Sequence, residues 1–111
     1  MRKRKLPDEL RATPEFTAFF SGLDKDCELY KRIRAALQAI KADMLVGDKI
    51  EKKKWAKKYV TTYGVRNLFR METGKESRLI YTIIAKEDKK IVVVLESFSD
   101  HKEYERRFGY S

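Results

Sequence analysis

The apolar positions of the N-terminal half recur at helical spacing and predict two helices. The first apolar stripe consists of Phe16, Phe19, Phe20 and Leu23. Residues 13–15 give its start signal, a cap residue followed by Pro, and residues 21–22 end it. The second stripe consists of Leu29, Ile33, Leu37, Ile40 and Met44. It predicts an amphipathic helix of about 16 to 18 residues, capped by Asp24 or Asp26, in a segment that Gly47 ends.

The C-terminal half predicts three strands and a short terminal helix. The strands are residues 65–71, 79–84 and 91–95, and tight connections at 73–76 and 86–89 make neighbouring strands antiparallel. The last strand is a continuous apolar run, which is typical of a strand covered on both faces. A hairpin turn within residues 85–90 would place Arg78 opposite Ser97, within a residue or two. Asp100 and Glu103 fit a capping box at the terminal helix.

These elements predict an α+β fold. A helical hairpin packs on one face of an antiparallel sheet of three to four strands, with a short C-terminal helix. A chain of 111 residues predicts one domain, residues 1–111. Residues 1–11 form a basic N-terminal arm, which could be a short edge strand, a disordered phosphate-binding arm or a charged leader.

The charge balance is strongly basic, with 26 Lys and Arg against 17 Asp and Glu and a formal charge of +9. Such an excess favours a polyanionic or acidic partner, although a highly charged soluble surface is the alternative. The densest basic run interleaves lysines with Trp55 and Tyr59, a combination that fits RNA binding. Its lysines are Lys49, Lys52, Lys53, Lys54, Lys57 and Lys58. We expect Trp55 itself to be anchored in the core.

Several function classes lack their sequence signals. No apolar run approaches the length of a membrane span, and no signal peptide follows the basic N-terminus, so we expect no membrane association. The single cysteine, Cys27, fits a reducing cytoplasm and a small half-buried position. The sequence has no acidic metal cluster, paired histidines, P-loop or nucleophile motif, so we expect no cofactor.

Metal-free RNA cleavage remains possible. It requires a base for the 2′-hydroxyl, a cation for the phosphorane and an acid for the 5′-oxygen. Arg78 has the planar donor fork that matches phosphate oxygens. The candidates for proton transfer are His101, Lys102 and Tyr104, and those for phosphate binding are Arg66 and Arg70. Alternatively, Arg78 pairs with Glu72 or Glu96 and has a structural role.

The combination of RLIY at residues 78–81 with HKEY at 101–104, after a basic two-helix half, resembles the RelE/ParE toxin superfamily. The RelE-like branch is the most similar, over roughly residues 14–110. The resemblance implies a ribosome-dependent, metal-independent mRNA endoribonuclease that inhibits translation. It maps catalytic roles onto Arg78, His101, Tyr104 and Lys102, and phosphate contacts onto Arg70 and Arg66.

The resemblance also implies partners and leaves alternatives open. The implied partners are an acidic cognate antitoxin, the ribosome and mRNA, all in the cytoplasm. A ParE-like gyrase inhibitor and a non-catalytic RNA-binding or antitoxin-binding relative are the alternatives. The sequence departs from the family pattern at Leu68 and Ser77, and it shows no obvious first strand before the two helices.

Overall fold

The computed structural model describes residues 5–74 and 77–98, which form helices and a five-stranded sheet. The elements are β1 (Glu9–Ala12), α1 (Pro14–Ser21), α2 (Glu28–Ala42), β2 (Asp48–Lys49), a 3₁₀ turn (Lys52–Lys54), α3 (Lys57–Thr61), β3 (Phe69–Glu72), β4 (Arg78–Lys86) and β5 (Lys89–Phe98). The strand order is β1-β5-β4-β3-β2, with β1 parallel to β5 and all other pairs antiparallel. The mixed α and β class is confirmed, but the expected three to four strands were too few.

The two strands that the sequence pattern missed are the short edges of the sheet. β1 pairs along residues 91–94, and the Asp8 carboxylate accepts a hydrogen bond from the Lys90 N–H at 2.7 Å. β2 contributes two residues, opposite Arg70 and Phe69. Segments this short are not recognisable from the alternation of apolar and polar residues. The sequence showed no obvious first strand, but residues 9–11 of the predicted arm lie in β1, which agrees with the edge-strand alternative for that arm.

The helices begin at capping residues. Thr13 caps α1, where its hydroxyl accepts a hydrogen bond from the Phe16 N–H at 3.1 Å, and the helix ends at Ser21 as predicted. The predicted Asp caps of α2 were wrong. Cys27 is the cap, and its sulfur accepts from the Tyr30 N–H at 3.4 Å. Asp24 instead accepts from the backbone of Asp26 in the preceding turn.

One core cluster joins α1 and α2 to what we call the first face of the sheet. Its buried members are Phe16, Ile33, Ile40, Met44, Phe69, Leu79, Tyr81, Val92 and Val94. Both predicted helical stripes contribute to this cluster, so their assignment to the core is confirmed. The Phe20 and Tyr30 rings stack at a centroid distance of 4.7 Å and link the two helices.

A second core cluster covers the opposite, second face of the sheet. Its buried members are Ile50, Tyr59, Leu68, Ile80, Leu95 and Phe98, and Trp55 packs against it. The basic segment therefore lies over the sheet and contributes its aromatic rings to the core. The strand expected at residues 65–71 begins only at Phe69. The residues before it form a loop whose Val65 and Leu68 side chains pack into the second core cluster.

A β-bulge in β5 changes which side chains reach the second face. Ile80 pairs with Glu96 whereas Tyr81 pairs with Val94, so Leu95 is an extra residue. Leu95 and Glu96 consequently both lie on the second face, and Arg78 pairs with Phe98. The predicted partner Ser97 was one residue away because a regular hairpin would have no bulge. The Thr13 hydroxyl donates to the Leu95 carbonyl at 2.8 Å and satisfies this bulged backbone.

Candidate functional site

Two predicted arginines lie on the second face at one end of the central strands. Arg70 in β3 is opposite Ile80 in β4, and Arg78 in β4 is opposite Glu72 in β3. Directly opposite residues share a face, and residues two apart on a strand do as well. Arg70 and Arg78 therefore lie on the same face, in neighbouring cross-strand rows of side chains, which we call the arginine rows. Arg66, which was expected on the same strand, lies in the loop before β3.

The Arg78 side chain is held in place by backbone carbonyls and an acidic neighbour. Its exposed fraction is 13%, and its Nη1 donates to the Ser77 carbonyl at 2.9 Å and to the Gly74 carbonyl at 3.4 Å. Its Nη2 lies 3.7 Å from the carboxylate of Glu72, which is 71% exposed. Because Glu72 itself is exposed to water, its carboxylate is screened and contributes less to holding the Arg78 guanidinium than the two backbone carbonyls do.

A cluster of polar side chains adjoins the arginine rows. The Lys58 ammonium, on α3, lies 2.5 Å from one carboxylate oxygen of Glu96 on β5. The hydroxyl of the buried Tyr59 donates to the other oxygen. Glu96 is 12% exposed and sits in the same row as Arg70 and Ile80. The β5 bulge makes this contact possible, since regular alternation would aim Glu96 at the first core cluster.

Tyr63 extends the cluster along α3 and the loop that follows. Its ring stacks on Tyr59 at a centroid distance of 6.1 Å, and the Lys58 ammonium lies 5.6 Å from its ring centroid. Burial raises the pKa of the Tyr63 hydroxyl above its ordinary value, while the positive charge of Lys58 opposes that rise. Tyr63 is therefore a neutral ring beside a cation at physiological pH.

Three of the remaining predicted basic residues, Lys49, Lys52 and Arg66, line clefts beside the second core cluster. The first cleft, of about 420 Å³, is formed by residues 63–67 and 82–85. The second, of about 450 Å³, is lined by Lys49, Ile50, Glu51, Lys52, Trp55 and Arg66. Arg66 lines both. Lys53 pairs with Glu51 at 3.4 Å, Lys54 is half-buried, and Lys57 is exposed at the start of α3.

The structure brings together part of the predicted site. Arg70, Arg78 and Lys58 share the second face, whereas His101, Lys102 and Tyr104 lie outside the described residues, as does the predicted terminal helix. Sequence reasoning named Glu96 only as a possible partner of Arg78 and Tyr59 only as a ring within the basic run, and it missed the contact between them. A single glutamate directly after a continuous apolar strand was the available signal, because a carboxylate there needs a partner when it is buried.

Comparison of the chain with protein-family models, with curated proteins and with solved structures gives no significant match. Within residues 5–74 and 77–98, no three His, Cys, Asp or Glu side chains gather at a position that could hold a metal ion. None of the helices in that part of the chain has the length and apolar character needed to cross a membrane.

Proposed function

We propose that this chain is a RelE-type toxin of a type II toxin–antitoxin system, acting in the cytoplasm as a ribosome-dependent, metal-independent mRNA endoribonuclease. The observation that carries the proposal is the pair Arg70 and Arg78 in adjacent rows of the second face. Two guanidinium groups so placed can bind the non-bridging oxygens of a single phosphodiester. A helical hairpin over one face of the sheet, as expected for this family, fits the shared core of α1 and α2.

The sequence supplies candidate proton-transfer groups shortly after β5. Arg78 pairs with Phe98, and His101, Lys102 and Tyr104 follow Phe98 by three, four and six residues. These lengths of chain span at most about 11, 14 and 22 Å, and the proposal requires the three side chains to reach the arginine end of the sheet. One of these groups removes the 2′-hydroxyl proton, the 2′-oxygen attacks phosphorus, and another protonates the departing 5′-oxygen. The arginines neutralise the charge that develops on the phosphorane.

The proposal is tested by mRNA cleavage on translating ribosomes. Wild type is compared with Arg78→Ala, with His101→Ala combined with Tyr104→Ala, and with Arg34→Ala on α2 as a matched loss of one arginine. We expect the Arg78 variant to cleave about 100- to 1000-fold more slowly, as for loss of one transition-state cation or donor, and Arg34→Ala to cleave normally. Thermal unfolding of each variant controls for misfolding, because Arg78 is largely buried.

Two outcomes would overturn the nuclease assignment. One is cleavage that survives Arg78→Ala in a folded protein. The other is a wild type that leaves mRNA intact on ribosomes. Inhibition of DNA supercoiling by that inactive wild type would then support the ParE-like alternative, and RNA binding without cleavage would support a non-catalytic relative.

A further inference from the structure

The second cleft combines an aromatic wall with a basic rim and lies apart from the arginine rows. It forms where β2 passes into the 3₁₀ turn, and Ile50 at its floor donates its N–H to the Leu68 carbonyl at 2.8 Å. Its volume of about 450 Å³ lies within the range of ordinary small-molecule sites. A ligand of the size of one nucleotide therefore fits the available space.

The aromatic wall is Trp55, whose position is fixed by hydrogen bonds and packing. Its indole Nε1 donates to the Ile50 carbonyl at 3.0 Å, and its backbone N–H bonds to the Lys52 carbonyl at 3.1 Å. The ring is half-buried against the second core cluster and still lines the cleft. Because the indole is already held in one orientation, a base that stacks on it orders no further side chain.

The rim of the cleft is positively charged. Lys49, Lys52 and Arg66 line it and are exposed. The carboxylate of Glu51 also lines it but lies 3.4 Å from the ammonium of Lys53, which offsets its charge. A ring to stack on, surrounded by cations, is the arrangement with which proteins hold single-stranded nucleic acid.

We propose that this cleft binds one base of single-stranded RNA, stacked on Trp55, with its flanking phosphates on Lys49, Lys52 and Arg66. The inference rests on the proposed RNA substrate and adds a subsite to it. Arg66 precedes Arg70 by four residues, a separation of at most about 14 Å along the chain. A strand held in the cleft can therefore continue to the arginine rows, and the subsite positions RNA for cleavage there.

The chain contains a single tryptophan, so its fluorescence reports on this cleft alone. The probe is a short 2′-O-methyl oligoribonucleotide, which lacks the nucleophile and is not cleaved. We expect it to quench Trp55, and an abasic oligomer of the same length to bind more weakly without quenching. Variants at position 55 have no tryptophan, so their affinity is measured by the anisotropy of a dye-labelled oligomer. Replacing Trp55 by Leu should weaken affinity about 5- to 150-fold, the range for one base–aromatic stack. Trp55→Phe should retain most of the affinity.

The charged rim is tested with substitutions that leave the core intact. Lys52→Ala and Arg66→Ala should each weaken binding and lower the salt dependence of log K by about 0.7, the value for one single-strand phosphate contact. Lys31→Ala and Arg34→Ala are the matched controls, because both residues are exposed on α2, which packs on the other face of the sheet. We expect both controls to bind like wild type.

Three results would overturn the subsite. They are equal quenching by the abasic oligomer, equal quenching by a poly-glutamate peptide of matched charge, and equal losses in the α2 controls. Failure of the subsite is distinguishable from failure of the nuclease. Cleavage on ribosomes without quenching leaves the nuclease and removes the subsite, whereas base-dependent quenching without cleavage keeps the subsite and removes the nuclease.

Discussion

The Glu96 carboxylate on the second face binds two side chains of α3, those of Lys58 and Tyr59. Lys58 and Tyr59 occupy both of its oxygens, and it is 12% exposed, so removing its charge leaves the Lys58 ammonium facing a partly desolvated position. We expect Glu96→Gln to lower the free energy of unfolding by about 1.5–3 kcal/mol, the range for a hydrogen bond to a charged group. Urea denaturation measures the change.

A double-mutant cycle separates the ion pair from its surroundings. Lys58→Met combined with Glu96→Gln should cost less than the sum of the single changes, because each single change leaves one polar partner behind. Glu51→Gln is the control, since the Lys53–Glu51 pair is exposed and should contribute less than about 0.5 kcal/mol. Strict additivity of the Lys58 and Glu96 changes would contradict the proposed coupling.

Tyr81 gives the fold a testable dependence on pH. Its hydroxyl donates to the Met44 carbonyl at 2.8 Å and accepts from the Gly47 N–H at 3.0 Å. Burial, with smaller contributions from Asp43 and Asp48, raises the pKa of Tyr81 to about 12. The unfolded chain loses this proton near pH 10, so the contribution of Tyr81 to stability is complete below about pH 10 and is lost as the pH rises toward 12.

Tyr81→Phe isolates this effect from the titration of lysines, which both proteins share. At pH 7 the variant should lose about 1–3 kcal/mol, because the Met44 carbonyl and the Gly47 N–H lose their partner. Between pH 10 and 12 the wild type should lose more stability than the variant does. Urea unfolding across this range measures both effects, and parallel pH profiles of the two proteins would contradict the assigned cause.

At the scale of elements, Thr13 connects the start of α1 to the bulge of β5. Its hydroxyl accepts from the Phe16 N–H and donates to the Leu95 carbonyl, and Thr13 is 7% exposed. Thr13→Val keeps the shape and removes both hydrogen bonds, so we expect a loss of about 2 kcal/mol. Thr13→Ser should retain most of the stability in urea denaturation. A loss of stability in Thr13→Ser with none in Thr13→Val would show that the methyl group, and not the hydroxyl, matters.

The sequence predicted the features that depend on contacts between residues close together in the chain, and it missed those that depend on distant residues. Thr13 and Pro14 start α1 through contacts within one turn, and the pattern placed that helix correctly. The bulge at Leu95 depends on a hydroxyl 82 residues away, so the hairpin pattern missed it and misplaced Arg78 by one residue. The pairing of Glu96 with Lys58, across 38 residues, was missed for the same reason.

The candidate site shows the same division. The sequence placed Arg70 and Arg78 on neighbouring antiparallel strands, and the register of that pairing puts both residues on one face. Arg66 was misassigned to the strand, since β3 begins three residues later at Phe69. The cleft at Trp55 forms because a 3₁₀ turn folds back over the sheet. No repeating pattern of apolar residues in the sequence predicts that turn.

At the scale of the whole molecule, positive charge lies on both sides of the sheet. The basic segment covers the second face, and α2 carries an exposed basic surface over the first face. We expect these two surfaces to differ in function. If the proposed function holds, the second face makes direct phosphate contacts, and the charge of α2 adds only to the long-range potential. Two triple variants with the same net charge separate these contributions.

In one variant Lys49, Lys52 and Arg66, which line the cleft, become Gln. In the other, Lys31, Arg34 and Lys41 on α2 become Gln. The binding of a 2′-O-methyl oligoribonucleotide is measured across a salt titration, with unfolding curves as the check on folding. Replacing the three cations of the cleft rim should lower the slope of log K against log salt by about 2, since each lost single-strand contact accounts for about 0.7. The α2 variant should keep the wild-type slope. Equal slopes for the two variants would mean that RNA binding depends on the net charge of the protein and not on a defined surface.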